Sequence, residues 1–248
     1  MKVAMLAAGV GSRLERGRDA PPKVLLRFAG RSLLERHLRM LGSFGLDDVT
    51  IATGHRAGLI RAELARLGAG PGVRTRYNPA YARSSLCSLW TLREVFRAGE
   101  PVLYMDADVL YDRRMLERLL DAPEEDALLI DRDVEPGEDP IKVGMRGARI
   151  VDFHKRLTVP CDHWAEWVGF MRFGPAAAKA LARHLDAFVA HGRTGVIYEE
   201  PMRATILERA TFATVDITGL PWIEIDFPED LERAKENIFP ELQPLNDG

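Results

Sequence analysis

The chain has 248 residues, enough for one large domain that buries its core without disulfides or a structural metal. Hydrophobic residues make up 46% and charged residues 29%, a balance that excludes disorder as the dominant state. Basic residues number 34 against 37 acidic ones, a net charge of −3, so nothing draws the whole molecule to nucleic acid or to an anionic membrane.

Residues 3–7 are a short apolar run, read as a buried first strand. The run is too brief for a membrane span or a signal peptide, and no later stretch approaches about 20 apolar residues. Two cysteines, Cys87 and Cys161, make no disulfide framework, and no second Cys/His pair stands at zinc spacing. A cytoplasmic setting with reduced thiols is the expectation. Leu34, His37, Leu38 and Leu41 recur at helical spacing, and Gly45 closes that helix. Residues 49–53 form a β-branched strand, Ile60, Leu64 and Leu67 mark a helix, and residues 73–77 form a third strand. Leu86, Leu89, Leu92 and Phe96 predict another helix, and residues 101–105 a fourth strand running into Asp106-Ala107-Asp108. Strands alternating with helices argue for a mostly parallel, doubly wound sheet covered on both faces.

The second half changes character. Residues 141–145, 150–153 and 167–173 read as antiparallel strands. Helical stripes return over 175–191 and 200–209, strand-like runs at 212–217 and 222–225, and Pro228 opens a last helix.

Strand one ends in Leu6-Ala7-Ala8-Gly9-Val10-Gly11-Ser12-Arg13-Leu14, at the strand end where open α/β sheets take ligands. Small residues there let backbone N–H groups approach a phosphate. The P-loop pattern is absent, and Leu14 occupies the third glycine position of a dinucleotide fingerprint. That loss, with no acidic residue at the second strand end, argues against an oxidoreductase. Arg13 offers a rigid fork for phosphate oxygens, and Lys23, aimed by Pro21-Pro22, a mobile point charge. Asp106 and Asp108 would repel beside a bound phosphate unless a cation bridged them, and Mg²⁺ is the natural bridge. Far down the chain, Glu224-Ile225-Asp226 ends another strand. Spacing alone leaves Asp226 as either a helix N-cap or a metal ligand, while Glu229 and Asp230 suit the helix dipole.

The glycine loop with its trailing Pro22-Lys23, the Asp106/Asp108 strand end and the terminal Glu224-Ile225-Asp226 together resemble the nucleotidyltransferases that activate sugar phosphates and related phospho-compounds, the MobA-like NTP transferases included. Within that family the short length and residues 224–231 look most like the small cytidylyltransferases for phosphocholine, phosphonates or inositol 1-phosphate. The resemblance implies an α/β fold: a doubly wound, Rossmann-like mixed sheet (nucleotidyltransferase type A) with a small substrate-facing antiparallel portion. It implies a single domain over 1–240, with 1–135 as the nucleotide-binding half, 136–240 as the acceptor-binding half and 241–248 as a tail. The implied reaction joins CMP from CTP, or from another NTP, to a small phosphorylated or phosphonate acceptor and releases pyrophosphate. A sugar or inositol 1-phosphate is the alternative acceptor, and a non-catalytic nucleotide sensor the alternative class.

By family position, Leu6, Ala7, Ala8, Gly9, Gly11, Ser12 and Arg13 hold the triphosphate, and Lys23 bridges acceptor and α-phosphate. Asn78-Pro79-Ala80-Tyr81 leading to Ser88 is similar to the nucleobase-side segment, with Ser85 beside it. Asp108 and Asp226 hold Mg²⁺, with Asp106, on the nucleotide-binding side, nearby as a further ligand or just behind the ligands. For the acceptor, Lys142 and Lys155 are candidate phosphate contacts. Glu166 lies between Trp164 and Trp167, and Tyr198 precedes Glu199 and Glu200. Aromatic faces mixed with carboxylates suit a cationic head group. Trp167, alternating with Val168 and Phe170, also reads as core. His37, His55 and His154 are expected to be structural or surface residues, and a homodimer through the second half is plausible.

Overall fold

A computed structural model describes residues 1–11, 13–14, 21–133 and 140–244. The expected boundary at 135/136, Ser12 and the last four residues of the tail therefore lie outside the described residues. The first half follows the alternation read from the sequence. Strand β1 (Lys2–Ala7) leads through a small hairpin, β2 (Arg27–Phe28) and β3 (Arg31–Ser32), into helix α1 (Leu33–Ser43). The Ser32 hydroxyl caps α1 by accepting from the Glu35 amide at 3.1 Å. Then come β4 (Val49–Thr53), α2 (Ala57–Arg66), β5 (Val73–Tyr77), two short helices α3 (Ser85–Trp90) and α4 (Arg93–Arg97), and β6 (Val102–Asp106).

Besides the β2–β3 hairpin and the division of one expected helix into α3 and α4, three elements go beyond the sequence reading: β7 (Val109–Tyr111), α5 (Arg113–Asp121) and β8 (Ala127–Asp131). The second half adds β9 (Lys142–Arg146), β10 (Arg149–His154), β11 (His163–Phe173), α6 (Pro175–Ala190), α7 (Glu199–Arg209), β12 (Ala213–Asp216), β13 (Trp222–Glu224) and α8 (Pro228–Arg233). Strand β11 starts four residues earlier than expected, because its first turns of chain pair with β9 at an exposed margin and carry polar residues.

Nine of these strands form one sheet, ordered β10-β9-β11-β6-β1-β4-β5, with β8 joined to β11 and β12. Pairings β6-β1, β1-β4 and β4-β5 are parallel, and β11 runs antiparallel to β6, β8 and β9. The mixed sheet expected from the sequence is thus present, with β11 sewing its parallel and antiparallel parts together. Alternate residues of β1 feed two separate cores: Val3 and Met5 pack with Leu34, Ile51 and Met105, whereas Ala4 packs with Ala52, Phe96 and Tyr104. Both faces are covered, as a doubly wound sheet requires. Among the described residues no helix is long and apolar enough to cross a membrane.

Two details set up the site. Strand β13 pairs antiparallel with β7, placing Glu224 opposite Val109, and the Ile225 amide donates to the Asp108 carbonyl at 3.1 Å. This pairing brings two acidic strand ends together from distant parts of the chain. On the other side, His37 of α1 is fully enclosed, and burial holds its pKa down to about 4. The neutral ring lies with Nε2 3.0 Å from the carbonyl of Ala107, between the two aspartates. That carbonyl can only accept, so Nε2 carries the proton.

Gly54, between β4 and α2, touches the glycine loop directly. A Cβ there would lie 2.4 Å from Tyr81 Cβ and 2.6 Å from the Ala8 carbonyl oxygen. Gly54→Ala is expected to cost about 1–3 kcal/mol of stability through overpacking. Denaturant unfolding checks this, and an unchanged midpoint would count against the contact.

Candidate active site

The carboxyl ends of β1, β6 and β13 converge on a cavity of about 460 Å³. Leu6, Ala7, Ala8, Gly9 and Gly11 line it, as the sequence reading expects, and Ser85 and Ser88 of α3 form another part of its wall. A Cβ on Gly9 would meet nothing within 4 Å, so the loop is open on its cavity side. Gly11 has φ +65°, a left-handed conformation, and packs on the Lys23 stem, with 3.5 Å from an ideal Cβ to Lys23 Cγ. Ser88 Oγ accepts from Asn78 Nδ2 at 2.9 Å, and Ser85 Oγ accepts from the Tyr198 amide at 3.1 Å.

Lys23 follows Pro22, which holds an extended conformation, and its ammonium stands between two strand ends. Nζ donates to Asp108 Oδ2 at 2.9 Å and to Asp226 Oδ1 at 2.5 Å. Arg13 Nη2 lies 2.7 Å from the other Asp226 oxygen, and its guanidinium stacks over Phe227 at 5.2 Å. Burial disfavours the Lys23 charge, but Asp108 and Asp226 outweigh it and hold the ammonium above the ordinary lysine pKa. The helix-cap alternative for Asp226 does not hold. Helix α8 is capped at Phe227, and the Asp230 carboxylate takes the amides of Asp226 and Phe227, leaving the Asp226 carboxylate for the site.

Glu224 completes the cluster. One oxygen each from Asp108, Glu224 and Asp226 lies within 4.8 Å of the others. The Glu224 side chain opens onto both cavities of the site, yet protein crowds its carboxyl. That burial, then the charges of Asp108, Asp226 and Asp106, push its pKa well up, with Lys23 pulling the other way. Three hard oxygen donors at this spacing fit a divalent cation of the Mg²⁺ type.

Asp106 is held apart from that triplet. Tyr104 donates to its Oδ1 at 2.6 Å and Tyr198 to its Oδ2 at 2.8 Å. Gly169 (φ +85°) sits in a bulge of β11, where register shifts between Trp167 and Met171, and a Cβ there would lie 2.9 Å from Asp106 Oδ2. Burial and the nearby Asp108 push the Asp106 carboxyl well above the usual range, and the two phenols oppose that. The sequence reading did not single out Tyr104 or Gly169. A glycine inside a strand pattern is the available signal for such a bulge, whereas Tyr104 reads simply as an apolar strand residue.

A second cavity, about 860 Å³, adjoins the first, and Arg13, Asp106, Lys155, Tyr198, Glu199 and Asp226 line both. Glu166 lines the larger one, with Trp167 behind it, 5% exposed and stacked on Tyr104. Two expected acceptor residues fall elsewhere. Lys142 is not in the lining of either cavity; its Nζ lies 5.1 Å from the centre of the exposed Trp164 ring. Glu200 turns to His154 at 3.2 Å and Arg193 at 3.9 Å, because the start of α7 points consecutive residues in different directions. Its neighbour Glu199 takes the place facing the cavities. Glu199 Oε2 is buried without a hydrogen-bond partner among the described residues. Burial pushes this carboxyl up to about 7, against the pull of its own amide and of Lys155.

Comparison with known proteins places this geometry in context. Residues 3–200 match the MobA-like NTP transferase domain. The chain is 31% identical to the bifunctional IPC transferase and DIPP synthase of Rubrobacter xylanophilus, over 99% of this chain and 53% of that one. It is 27% identical to the CMP-5'-(3-aminopropyl)phosphonate synthase of Streptomyces rubellomurinus, over 97% of this chain and 39% of that one. The chain thus spans about half the length, or less, of these two curated relatives. Its fold matches the CTP:phosphocholine cytidylyltransferase of Streptococcus pneumoniae with a TM-score of 0.73 and 19% identity, covering 95% of this chain and 97% of that one.

The two-phenol clamp has a direct test. Tyr198→Phe removes one donor from a buried carboxyl and is expected to lower stability by about 1–3 kcal/mol. Urea unfolding checks it, and a wild-type midpoint would mean that the Tyr198 hydroxyl contributes nothing to holding Asp106.

Proposed function

Because the chain belongs to the MobA-like NTP transferase family, we propose that it transfers CMP from CTP to a small phosphorylated or phosphonate acceptor and releases pyrophosphate. The observation that carries this reading is the Lys23 ammonium, set between Asp108 and Asp226 at the edge of the glycine loop. An acceptor oxygen attacks the α-phosphorus in line while the pyrophosphate oxygen leaves. Catalysis of this kind is positioning and charge neutralisation, with no covalent enzyme intermediate. Amides of the glycine loop and Arg13 hold the outgoing phosphates. Lys23 neutralises charge that grows on the α-phosphoryl oxygens in the transition state. Asp108, Glu224 and Asp226 would hold a Mg²⁺ ion, which when bound polarises the triphosphate. Two free cysteines suit a cytoplasmic setting.

The choice of CTP is supported by the relatives, the 27% identical one being a CMP-5'-(3-aminopropyl)phosphonate synthase. Ser85 and Ser88 put two hydroxyls on the wall of the smaller cavity, where a base would be read. The acceptor side is rich in carboxylates and aromatic faces: Glu166, Glu199, Tyr198 and Trp222 line the larger cavity. An ammonium head group would find both a counter-charge and a cation–π surface there, and Lys155, in the wall common to both cavities, would meet the acceptor's phosphoryl group. The 31% identical relative is an IPC transferase, and carboxylates also take polyol hydroxyls, so inositol 1-phosphate is the second reading.

Pyrophosphate release across CTP, UTP, ATP and GTP with choline phosphate, 2-aminoethylphosphonate and inositol 1-phosphate tests the reaction. Release with CTP is expected; none with any pair would end the cytidylyltransferase reading. Lys23→Ala should lower kcat by about 100-fold or more, about 2.7 kcal/mol of transition-state stabilisation. A kcat near wild type would remove Lys23 from the chemistry.

The head-group reading predicts a separate result. Choline phosphate should be preferred over its uncharged isostere, 3,3-dimethylbutyl phosphate, by about tenfold or more in kcat/KM. Glu199→Gln should erase most of that preference, and Glu200→Gln, whose carboxylate faces His154 and Arg193, should keep it. Equal use of the two acceptors by the wild type would rule out recognition of the positive charge.

A further inference from the structure

The carboxylate triplet that fits a divalent ion already has cations on two of its members. Lys23 Nζ spans Asp108 and Asp226, and Arg13 holds the remaining Asp226 oxygen. Each of these contacts uses lone pairs that a metal ion would need. Both cations also flank the glycine loop, where a triphosphate offers them stronger partners. Lys23 can change partners without moving the backbone, since its charge sits on a flexible four-carbon stem. Arg13 is equally free to leave, because its side chain is 58% exposed.

We infer that Lys23 and Arg13 are resident counter-ions of the metal site, which block divalent-ion binding until a triphosphate draws them away. Metal and nucleotide then bind as a coupled pair: the triphosphate takes the two side-chain cations, and the freed carboxylates take the metal. A ligand that relieves a competing contact raises the affinity of the other by the same factor in both directions. The role adds to the phosphate contact of Lys23 in the transfer reaction, since it acts before any acceptor is present. It also explains why one lysine should touch two carboxylates drawn from different strand ends: occupancy of both by a single ammonium closes the site to a free ion. The inference rests on Asp108, Glu224 and Asp226 being the metal ligands of the proposed reaction.

Titration of the 248-residue chain with Mn²⁺ alone, without CTP or acceptor, tests it, with free Mn²⁺ followed by electron paramagnetic resonance. The transfer reaction plays no part in this measurement, so its failure and the failure of the cytidylyltransferase reading are distinguishable. Lys23→Met should bind Mn²⁺ about tenfold or more tightly than the wild type. Lys23→Arg, which keeps a cation between the carboxylates, should stay close to the wild type. A lysine that merely supports the fold would give the opposite sign, weaker binding on its removal. Circular dichroism confirms that each variant is folded. Where Lys23→Met does not fold, Arg13→Met decides alone, with an expected gain of a few-fold. Unchanged or weaker Mn²⁺ binding in the deciding variant, including no binding by any variant, overturns the inference.

Discussion

One ammonium group between two carboxylates holds the centre of this molecule. Lys23 comes from the segment after the glycine loop, Asp108 from the turn between β6 and β7, and Asp226 from the stretch after β13. The Lys23 side chain is 15% exposed, so the pairing is poorly screened by solvent. Removing either partner of such a pair leaves a partly buried charge uncompensated, which is costlier than the net value of the pair itself. The β7–β13 ladder and the Asp230 bonds to the Asp226 and Phe227 amides align the backbone around it. The fold thus spends its irregular elements on placing three carboxylates, and the charge of Lys23 allows them to stay close.

Around that centre, the architecture divides the work between two cavities that share a wall. Asp106 is the fixed point of the wall. Two phenols take one oxygen each, and the bulge at Gly169 gives the carboxyl room that any side chain on β11 would remove. Tyr198 then ties this point to the nucleotide side, since its amide bonds Ser85 while its hydroxyl bonds Asp106. Next to it in the chain, Glu199 faces the space beyond. Tyr198 and Glu199 at the start of α7 therefore reach both cavities, and rigid aromatic packing among Tyr104, Trp167 and Tyr198 supports them.

Much of this was legible in the sequence, and the reasons for the rest are physical. Strand β4 begins and ends with a β-branched run because burial on the sheet selects those residues, and the edge strand β5 shows instead the alternation of Val, Thr and Tyr with arginines that a half-solvated strand allows. The glycine loop, Lys23, Asp108 and Asp226 could be picked out because phosphate and metal chemistry restrict residue type and place them at strand ends. Strand β7 is only three residues long, and its partner lies far down the chain, so no local pattern announces it. Glu224 was visible as part of an acidic strand end, but only the β7–β13 register puts it with Asp108 and Asp226. The exchange of Glu200 for Glu199 has a similar origin. Composition marks the pair, while the phase of the helix start decides which one reaches the cavity, and that phase is set by tertiary packing. Lys142, on strand β9, has its ammonium near the Trp164 ring rather than in either cavity wall, a placement that composition and spacing do not encode.

The proposed reaction brings a polyanion to a site lined by carboxylates, which by themselves would repel it. Asp106, Asp108, Glu224 and Asp226 all face the region where a triphosphate would lie, opposed by Lys23, Arg13 and Lys155. Repulsion between unit charges a few ångströms apart amounts to several kcal/mol at the effective dielectric of a partly buried site. Such an arrangement works only if the carboxylates are neutralised at every stage. Burial favours the neutral forms of Asp106 and Glu224, and side-chain cations cover Asp108 and Asp226. Exchanging those side-chain cations for a metal ion as the phosphates arrive keeps the local charge near balance throughout. The glycine loop makes that exchange short-ranged: Gly11, in its left-handed conformation, packs against the Lys23 stem, so the ammonium needs to swing only across the loop it already borders. The charge economy of the site and the geometry of its first loop are therefore two aspects of one design, in which the same lysine serves the carboxylates before binding and the phosphates after it.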